Sequence, residues 1–179
     1  IRIKSTQLVN EIKSQRMLLQ AENGELALDL KVIDSQKILE EVIKGYSITQ
    51  FAKQKTIKVH PDSEGLQLLS DEALLTRILG NLVKNALEAA STSETITLRA
   101  EAKENEIWFS VHNPNSMPQN VQLQVFQRSF STKGAGRGIG TYSVKLFTER
   151  YLEGRAWFQT DDNTGTTFYI ALPEVSKPG

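Results

Sequence analysis

Residues 70–90 read Ser70-Asp71-Glu72-Ala73-Leu74-Leu75-Thr76-Arg77-Ile78-Leu79-Gly80-Asn81-Leu82-Val83-Lys84-Asn85-Ala86-Leu87-Glu88-Ala89-Ala90. Leu75, Ile78, Leu79, Leu82, Val83 and Ala86 recur three and four positions apart, which predicts a long helix with one apolar stripe. Ser70-Asp71 supplies the capping oxygens at its start. At 3.6 residues per turn, Asn81, Asn85 and Glu88 fall within an arc of roughly 60° beside that stripe. Such a polar arc is ordinarily a solvated face. Asparagine is, however, a poor helix former, and two in mid-helix cost roughly a few tenths of a kcal/mol each unless the amides are wanted. Neutral amide oxygens beside a carboxylate are hard-cation ligands, suited to a Mg²⁺ that keeps several waters and touches phosphates.

Upstream of this helix, residues 3–22 carry Leu8, Ile12, Met17 and Leu19 among polar residues, as an amphipathic helix ended by Asn23-Gly24 does. Its stripe is incomplete by itself, so it either packs on its own domain or is a cut piece of a dimer or coiled coil, and the second reading is preferred. Residues 26–33 alternate at period two, as a strand does. Asp34-Ser35 then caps a second helix whose buried face is Ile38, Leu39, Val42, Ile43 and Tyr46. Residues 56–60 read as another strand, followed by a Pro61-Asp62-Ser63 turn.

Downstream, residues 95–102 and 106–112 alternate and are joined through Lys103-Glu104-Asn105 as a hairpin. A loop-rich stretch occupies residues 113–140, long enough to invite a function. Residues 141–151 form a helix burying Val144, Leu146 and Phe147; residues 155–160 and 166–172 are strands, the last stopped by Pro173. The expected fold is α+β: a mixed or antiparallel sheet with three helices on one face, preceded by a helical stem.

Inside the long loop, Lys133-Gly134-Ala135-Gly136-Arg137-Gly138-Ile139-Gly140-Thr141-Tyr142 places four glycines at alternate positions running into a helix. The spacing fits neither a P-loop nor a dinucleotide fingerprint. A flexible linker is the plain alternative, but a linker rarely sets its last Gly and Thr at a helix start, where amide groups and the dipole favour phosphate. Lys133 and Arg137 bracket the run and are candidate partners of phosphate oxygens.

Composition narrows the classes. The 179 residues hold 21 Lys+Arg and 21 Asp+Glu, so no net charge draws the chain to nucleic acid or an anionic membrane. With no Cys and only two His, thiolate metal sites, disulfide scaffolds and Cys nucleophiles are excluded and a zinc cluster nearly so. No apolar run approaches the ~20 residues of a membrane span, and no signal segment opens the chain, so a soluble piece is expected. The first residue is Ile, which fits a piece of a longer polypeptide.

These stretches resemble one family. Asn81-Leu-Val-Lys-Asn85-Ala-Leu-Glu88-Ala looks like the N box of sensor histidine kinases. Phe126-Gln-Arg-Ser-Phe130-Ser-Thr132-Lys133 is similar to their F box with its Thr-Thr-Lys, and Gly136-Arg-Gly138-Ile-Gly140 to their second glycine box. Gly165-Thr166-Thr-Phe168-Tyr-Ile-Ala-Leu-Pro173 resembles the end of that domain. The resemblance covers residues 30–173, and the order and spacing of three boxes make it specific. Residues 12–22 resemble the second half of a dimerisation helix, so 1–24 are expected to be truncated stem and 25–179 the catalytic ATP-binding domain.

The resemblance implies the two-layer α/β sandwich of the Bergerat ATP fold, shared with gyrase, MutL and the ninety-kilodalton heat-shock chaperones. ATP lies there between the asparagine-bearing helix and a long lid. Carried over to this chain, Asn85 would ligate Mg²⁺, Asn81 would support the phosphate end, and Gly134, Gly136, Gly138 and Gly140 would wrap the phosphates. Phe130 would anchor the lid; Thr132, Lys133, Arg137, Ile139, Thr141, Thr166 and Glu88 line the expected nucleotide site, Glu88 without the role of a base. The implied activity is transfer of the ATP γ-phosphoryl to a histidine on a stem outside this chain, then relay to a response-regulator receiver domain. A homodimer through the stem, a cytoplasmic location and no nucleic-acid partner are also implied; whether the parent is tethered to a membrane stays open.

One box departs. The family's first glycine box normally reads Val-x-Asp-x-Gly-x-Gly-Ile, whereas here Val111-His-Asn113-Pro-Asn115-Ser-Met-Pro118 has Asn at the Asp and no glycine. A carboxylate accepting the adenine amino proton gives a charge-assisted bond of about 1.5–3 kcal/mol, and an amide oxygen about half that. Two rivals follow: a degenerate, weakly binding module that acts as a scaffold, and a Ser/Thr kinase or ATPase of the same fold. The stem and the Asn at position 81, where an ATPase would carry a catalytic Glu, argue against the latter. Neither His60 nor His112 has the helical setting of a phosphoacceptor; both read as partly exposed strand residues.

Overall fold

A computed structural model describes residues 2–128 and 139–174. Helix α1 (Arg2–Glu22) leads into β1 (Leu30–Asp34), α2 (Ser35–Ser47), β2 (Thr56–Val59), β3 (Gln67–Asp71) and α3 (Glu72–Ala89). Then come β4 (Thr95–Lys103), β5 (Glu106–Asn113), the single turn α4 (Gln119–Gln122), α5 (Gly140–Leu146), β6 (Arg155–Asp161) and β7 (Gly165–Pro173). A π turn, Phe147–Tyr151, extends α5.

The main sheet runs β2-β4-β5-β7-β6, with β2 parallel to β4 and the other pairs antiparallel. β4 and β5 alternate along their buried lengths. Ile96, Leu98 and Ala100 on β4, Ile107, Phe109 and Val111 on β5, and Phe168, Ile170 and Leu172 on β7 are buried. They meet Leu75, Ile78, Leu79, Leu82, Val83 and Ala86 of α3, all buried, so the predicted stripe is the one that packs. Helices α2 and α5 flank α3 in the same layer, giving the mixed two-layer α/β sandwich that was expected.

Both caps form. The Asp34 carboxylate accepts from the amide of Lys37 at 3.0 Å, and Asp71 accepts from Leu74 at 2.9 Å. The second Asp71 oxygen also accepts from the amide of Asp29 at 2.8 Å, tying the chain before β1 to the start of α3. Gly165 sits at φ +83°, and a Cβ there would lie 2.3 Å from the Asn113 carbonyl oxygen, so only glycine lets the two strand ends meet.

Three local expectations need correction. The alternating run at 26–33 yields a strand only over Leu30–Asp34, and that strand pairs with β3 in a separate two-stranded ribbon. β3 itself was not anticipated, because adjacent Leu68 and Leu69 break the period that marks a strand. The helix expected over 141–151 changes at Phe147 into a π turn, which sequence pattern does not signal.

The end of α1, preferred above as a cut piece of a dimer helix, packs on its own domain. Leu18 and Ala21 are buried, and α1 ends in a Schellman pair, Glu25 donating to the Gln20 carbonyl at 2.8 Å and Gly24 to Ala21 at 3.2 Å. The π turn grips this end: Tyr151 Oη donates to the Ala21 carbonyl at 2.7 Å and Arg150 Nη1 to the Glu22 carbonyl at 3.2 Å. Arg128 Nε and Nη2 reach the Glu22 carboxylate at 2.6 and 3.2 Å.

Candidate functional site

Helix α3 presents the asparagine row. Asn81, Asn85 and Glu88 are all half-buried beside the core stripe, so the arc is a wall and not a free solvent face. Asn81 Nδ2 donates to Ser143 Oγ at 2.9 Å, and Ser143 Oγ in turn donates to the Gly140 carbonyl at 2.7 Å. This part-buried relay, with Ser143 itself buried, fixes the Asn81 amide against the first turn of α5 through its Nδ2, and Oδ1 is an acceptor. Ser143 was missed in the sequence because its partner lies 62 positions away.

The first turn of α5 is tied on two further sides. Thr141 Oγ1 donates to the Val125 carbonyl, so this hydroxyl braces the segment after α4. Ile139 accepts the amide of Ser143 at 2.9 Å and packs against the core.

At the far end of α3 stands the altered first glycine box. Asn113 is buried, and its Oδ1 accepts from the amide of Asn115 at 3.1 Å, closing an Asx turn over Pro114. Asn115 Nδ2 donates to the Ala89 carbonyl at 2.9 Å and to Glu94 at 2.8 Å, docking this turn on the C-terminus of α3. The Thr166 hydroxyl, also buried, donates to the Asn115 carbonyl and lies 2.8 Å from the Thr160 hydroxyl, so it too is engaged within the protein.

α3 thus has the α5 start at Asn81 and the Asn113 turn at Ala89. The eight steps from Asn81 to Ala89 span about 12 Å at 1.5 Å per residue. Asn85 lies between the two ends, its amide oxygen suited to an octahedral cation whose other ligands are water and phosphate oxygens. Glu88 is within electrostatic reach of Tyr46 on α2. Burial is the main cause that pushes the Tyr46 phenol above its ordinary value, and Glu88 adds to it. Phe130, Thr132, Lys133, Gly134, Gly136, Arg137 and Gly138 lie outside the described residues.

Other features fall away from this row. The hollow lined by Lys103, Glu106, Trp108 and Arg155 opens on the opposite face of the sheet, and a groove beside Phe126, Tyr142 and Lys145 lies along α5. His112 is half-buried on that opposite face with Nδ1 2.9 Å from Thr167 Oγ1, and burial pushes its imidazole below the ordinary value. His60 Nδ1 accepts from the amide of Asp62 at 3.1 Å. Among the described residues no cluster of three or more His, Cys, Asp or Glu is placed to hold a metal, and no helix is long and apolar enough to cross a membrane.

A mixed sheet covered on one face by three helices, the middle one bearing a row of amides, defines the architecture of a GHKL-type ATP-binding domain. The chain belongs to the family of histidine kinase-, DNA gyrase B- and HSP90-like ATPases, whose pattern matches residues 70–176. It is 28% identical over 177 residues to the sensor histidine kinase CusS of Escherichia coli K12, covering 94% of this chain and 36% of that protein. It is 27% identical over 184 residues to the sensor protein DivL of Caulobacter vibrioides, covering the whole chain and 23% of DivL. The chain therefore spans about a third or less of these relatives. Among solved structures, the fold matches the catalytic domain of histidine kinase ThkA at a TM-score of 0.73 and 22% identity, over 82% of this chain and 97% of that one. It matches the histidine kinase AdeS of Acinetobacter baumannii at 0.76 and 15% identity, over 97% and 82%.

Proposed function

We propose that this chain is the ATP-binding catalytic portion of a sensor histidine kinase, which transfers the γ-phosphoryl of ATP to a histidine on a stem outside the chain, for relay to a response-regulator receiver domain. The observation that carries the reading is the Asn81–Ser143–Gly140 relay, which sets the asparagine row of α3 against the start of α5. Supporting it are the family match and a structure of ThkA in complex with the response regulator TrrA, whose ThkA fold this chain shares at a TM-score of 0.72.

On this reading the nucleotide lies along α3, base towards Asn113 and phosphates towards Asn81 and Gly140. A bound Mg²⁺ would supply neutralisation of phosphate charge there. Asn85 would hold that ion through its amide oxygen, and Asn81, held by Ser143, would offer a second acceptor beside it. Lys133 and Arg137 are assigned to phosphate oxygens, with Gly134, Gly136 and Gly138 giving the backbone room to approach them, and Phe130 and Thr132 beside that run. None of these groups takes a proton from the acceptor; catalysis is placement of the γ-phosphoryl before an incoming imidazole. Residues 1–24 are assigned to the dimerisation stem, 25–179 to the catalytic domain, and homodimerisation to the stem of the whole protein.

A second reading has its own observation. The acceptor of Asn113 is already engaged by Asn115, and the Asn115 side chain crosses to α3 where the family's box has glycine, which favours a weakly binding scaffold. Calorimetric titration of Mg-ADP into the chain and into Asn85→Ala decides. Binding in the micromolar to sub-millimolar range, weakened about tenfold or more in the variant, supports the kinase reading; no heat at millimolar nucleotide supports the scaffold.

A further inference from the structure

The chain from 27 to 32 is exposed at six consecutive positions, including Leu30 at 52% and Val32 at 70%. These residues lead into and form β1, whose one partner is β3. Among the described residues no strand lies along its other edge. The side of β1 that is used can be read from one bond beyond the strand: the amide of Ser35 donates to the Leu66 carbonyl at 2.8 Å, continuing the register in which Asp34 faces Gln67. In an antiparallel pair alternate residues exchange bonds, so Lys31 and Ile33 turn their amides to β3, and Leu30 and Val32 turn theirs outward. An apolar strand with unpaired outward amides is a template for another strand.

The sequence on that edge, Leu28-Asp29-Leu30-Lys31-Val32, is self-complementary about Leu30. Two copies laid antiparallel with Leu30 opposite Leu30 set Leu28 opposite Val32, and Asp29 opposite Lys31, each twice. The same register puts the outward amides of Leu30 and Val32 in the hydrogen-bonded pairs, and pairing would extend β1 back through the exposed Leu28 and Asp29, which precede it. It puts Asp29 and Lys31 in the pairs without hydrogen bonds, where opposed Cα atoms lie about 4.5 Å apart and side chains meet most closely. Moving the centre to Val32 would set Lys31 against Ile33 and Leu30 against Asp34, which loses both matches. We infer that the β1 edge is a pairing surface for a second copy of this chain, joining two ribbons into a four-stranded sheet in the order β3-β1-β1-β3 about a twofold axis at Leu30.

Within one copy Asp29 and Lys31 are already 2.8 Å apart and exposed, so both charges are on the edge in the unpaired state. The interface is small and belongs to the weak, transient class. Such a contact gains when another part of the molecule holds two copies together, because the second contact then forms at a high effective concentration. The inference does not depend on nucleotide binding.

Sedimentation velocity of the 179-residue chain, from roughly 10 μM to 1 mM, is the test. Monomer–dimer exchange is expected. Asp29→Lys, which creates two like-charge pairs, should weaken it about tenfold or more, and Asp29→Lys with Lys31→Asp should restore it. Leu30→Pro removes an outward amide and no bond to β3, and should abolish association while thermal unfolding still shows a cooperative fold; should that variant unfold, the charge pair decides by itself. Because the chain has no Cys, single cysteines report the register: Leu30→Cys should cross-link to itself faster than Leu28→Cys or Val32→Cys. A chain monomeric throughout the range overturns the inference. So does a dimer indifferent to the charge reversals and lost only in Ile12→Asp, which would place the contact on the exposed Val9, Ile12 and Leu19 of α1.

Discussion

Ser143 is the residue on which the site turns. Its hydroxyl joins two segments that the sequence keeps 62 positions apart, and it does so while buried. Ser143→Ala removes a donor and an acceptor at once, leaving Asn81 Nδ2 and the Gly140 carbonyl without this partner. The expected cost is about 1–2 kcal/mol in stability. Mg-ADP affinity in calorimetry should fall with it, because the Asn81 amide is no longer held. Asn85 and Asn81 were legible from the sequence, since two poor helix formers on one side of an apolar stripe demand a reason. Ser143, Thr141 and Asn115 were not: each acts through a tertiary contact, and a hydroxyl near a helix start or an Asn after a Pro has many ordinary explanations. Asn113 lay between these cases, its position legible and its engagement by Asn115 visible only in the fold.

At the scale of elements, α3 is the best-determined piece because period, cap and buried face agree. Asp71 contributes more than a cap, with one oxygen on Leu74 and the other on Asp29. Asp71→Ala should therefore cost at least the usual 1–2 kcal/mol of a lost N-cap, and lower the thermal midpoint by about 3–6 °C in calorimetric scans. Amide exchange at Asp29 should rise in the same variant. The strands of the hairpin and of β7 were readable by alternation, since one face packs under helices and the other meets water. β3 escaped because its five residues carry two adjacent leucines, and β1 was drawn too long because alternation persists through residues 26–29 where no strand forms. The π turn was unreadable: an extra residue in one turn is stabilised by what Arg150 and Tyr151 grip, not by local propensity.

Across the whole molecule, the end of α1 is bound to the body by charge as well as by burial of Leu18 and Ala21. The bidentate Arg128 guanidinium holds the Glu22 carboxyl below the usual carboxylate range, with a smaller contribution from Tyr142. A carboxyl depressed in the folded state stabilises above its unfolded titration, near pH 4.3, and that support disappears as pH falls through the lower folded value. Protection of the amides at residues 18–22, taken relative to the intrinsic exchange rate at each pH, should thus be higher at pH 6 and fall in acid more steeply than in the core. Glu22→Gln should lose that acid-dependent step; an unchanged profile would show that the pair contributes nothing to docking. A consequence of another kind follows from the aromatic cluster on the far side of the sheet. Both tryptophans of the chain are there, Trp108 edge-on to Trp157 with ring centroids 4.7 Å apart, and Trp157 stacked on Tyr169 at 5.2 Å. Rings this close share their electronic transitions, so the near-ultraviolet circular dichroism of the protein should be dominated by one coupled chromophore. The signal will report whether β5, β6 and β7 are assembled and stay indifferent to events along α3, which makes it a built-in optical control for every titration of the asparagine row.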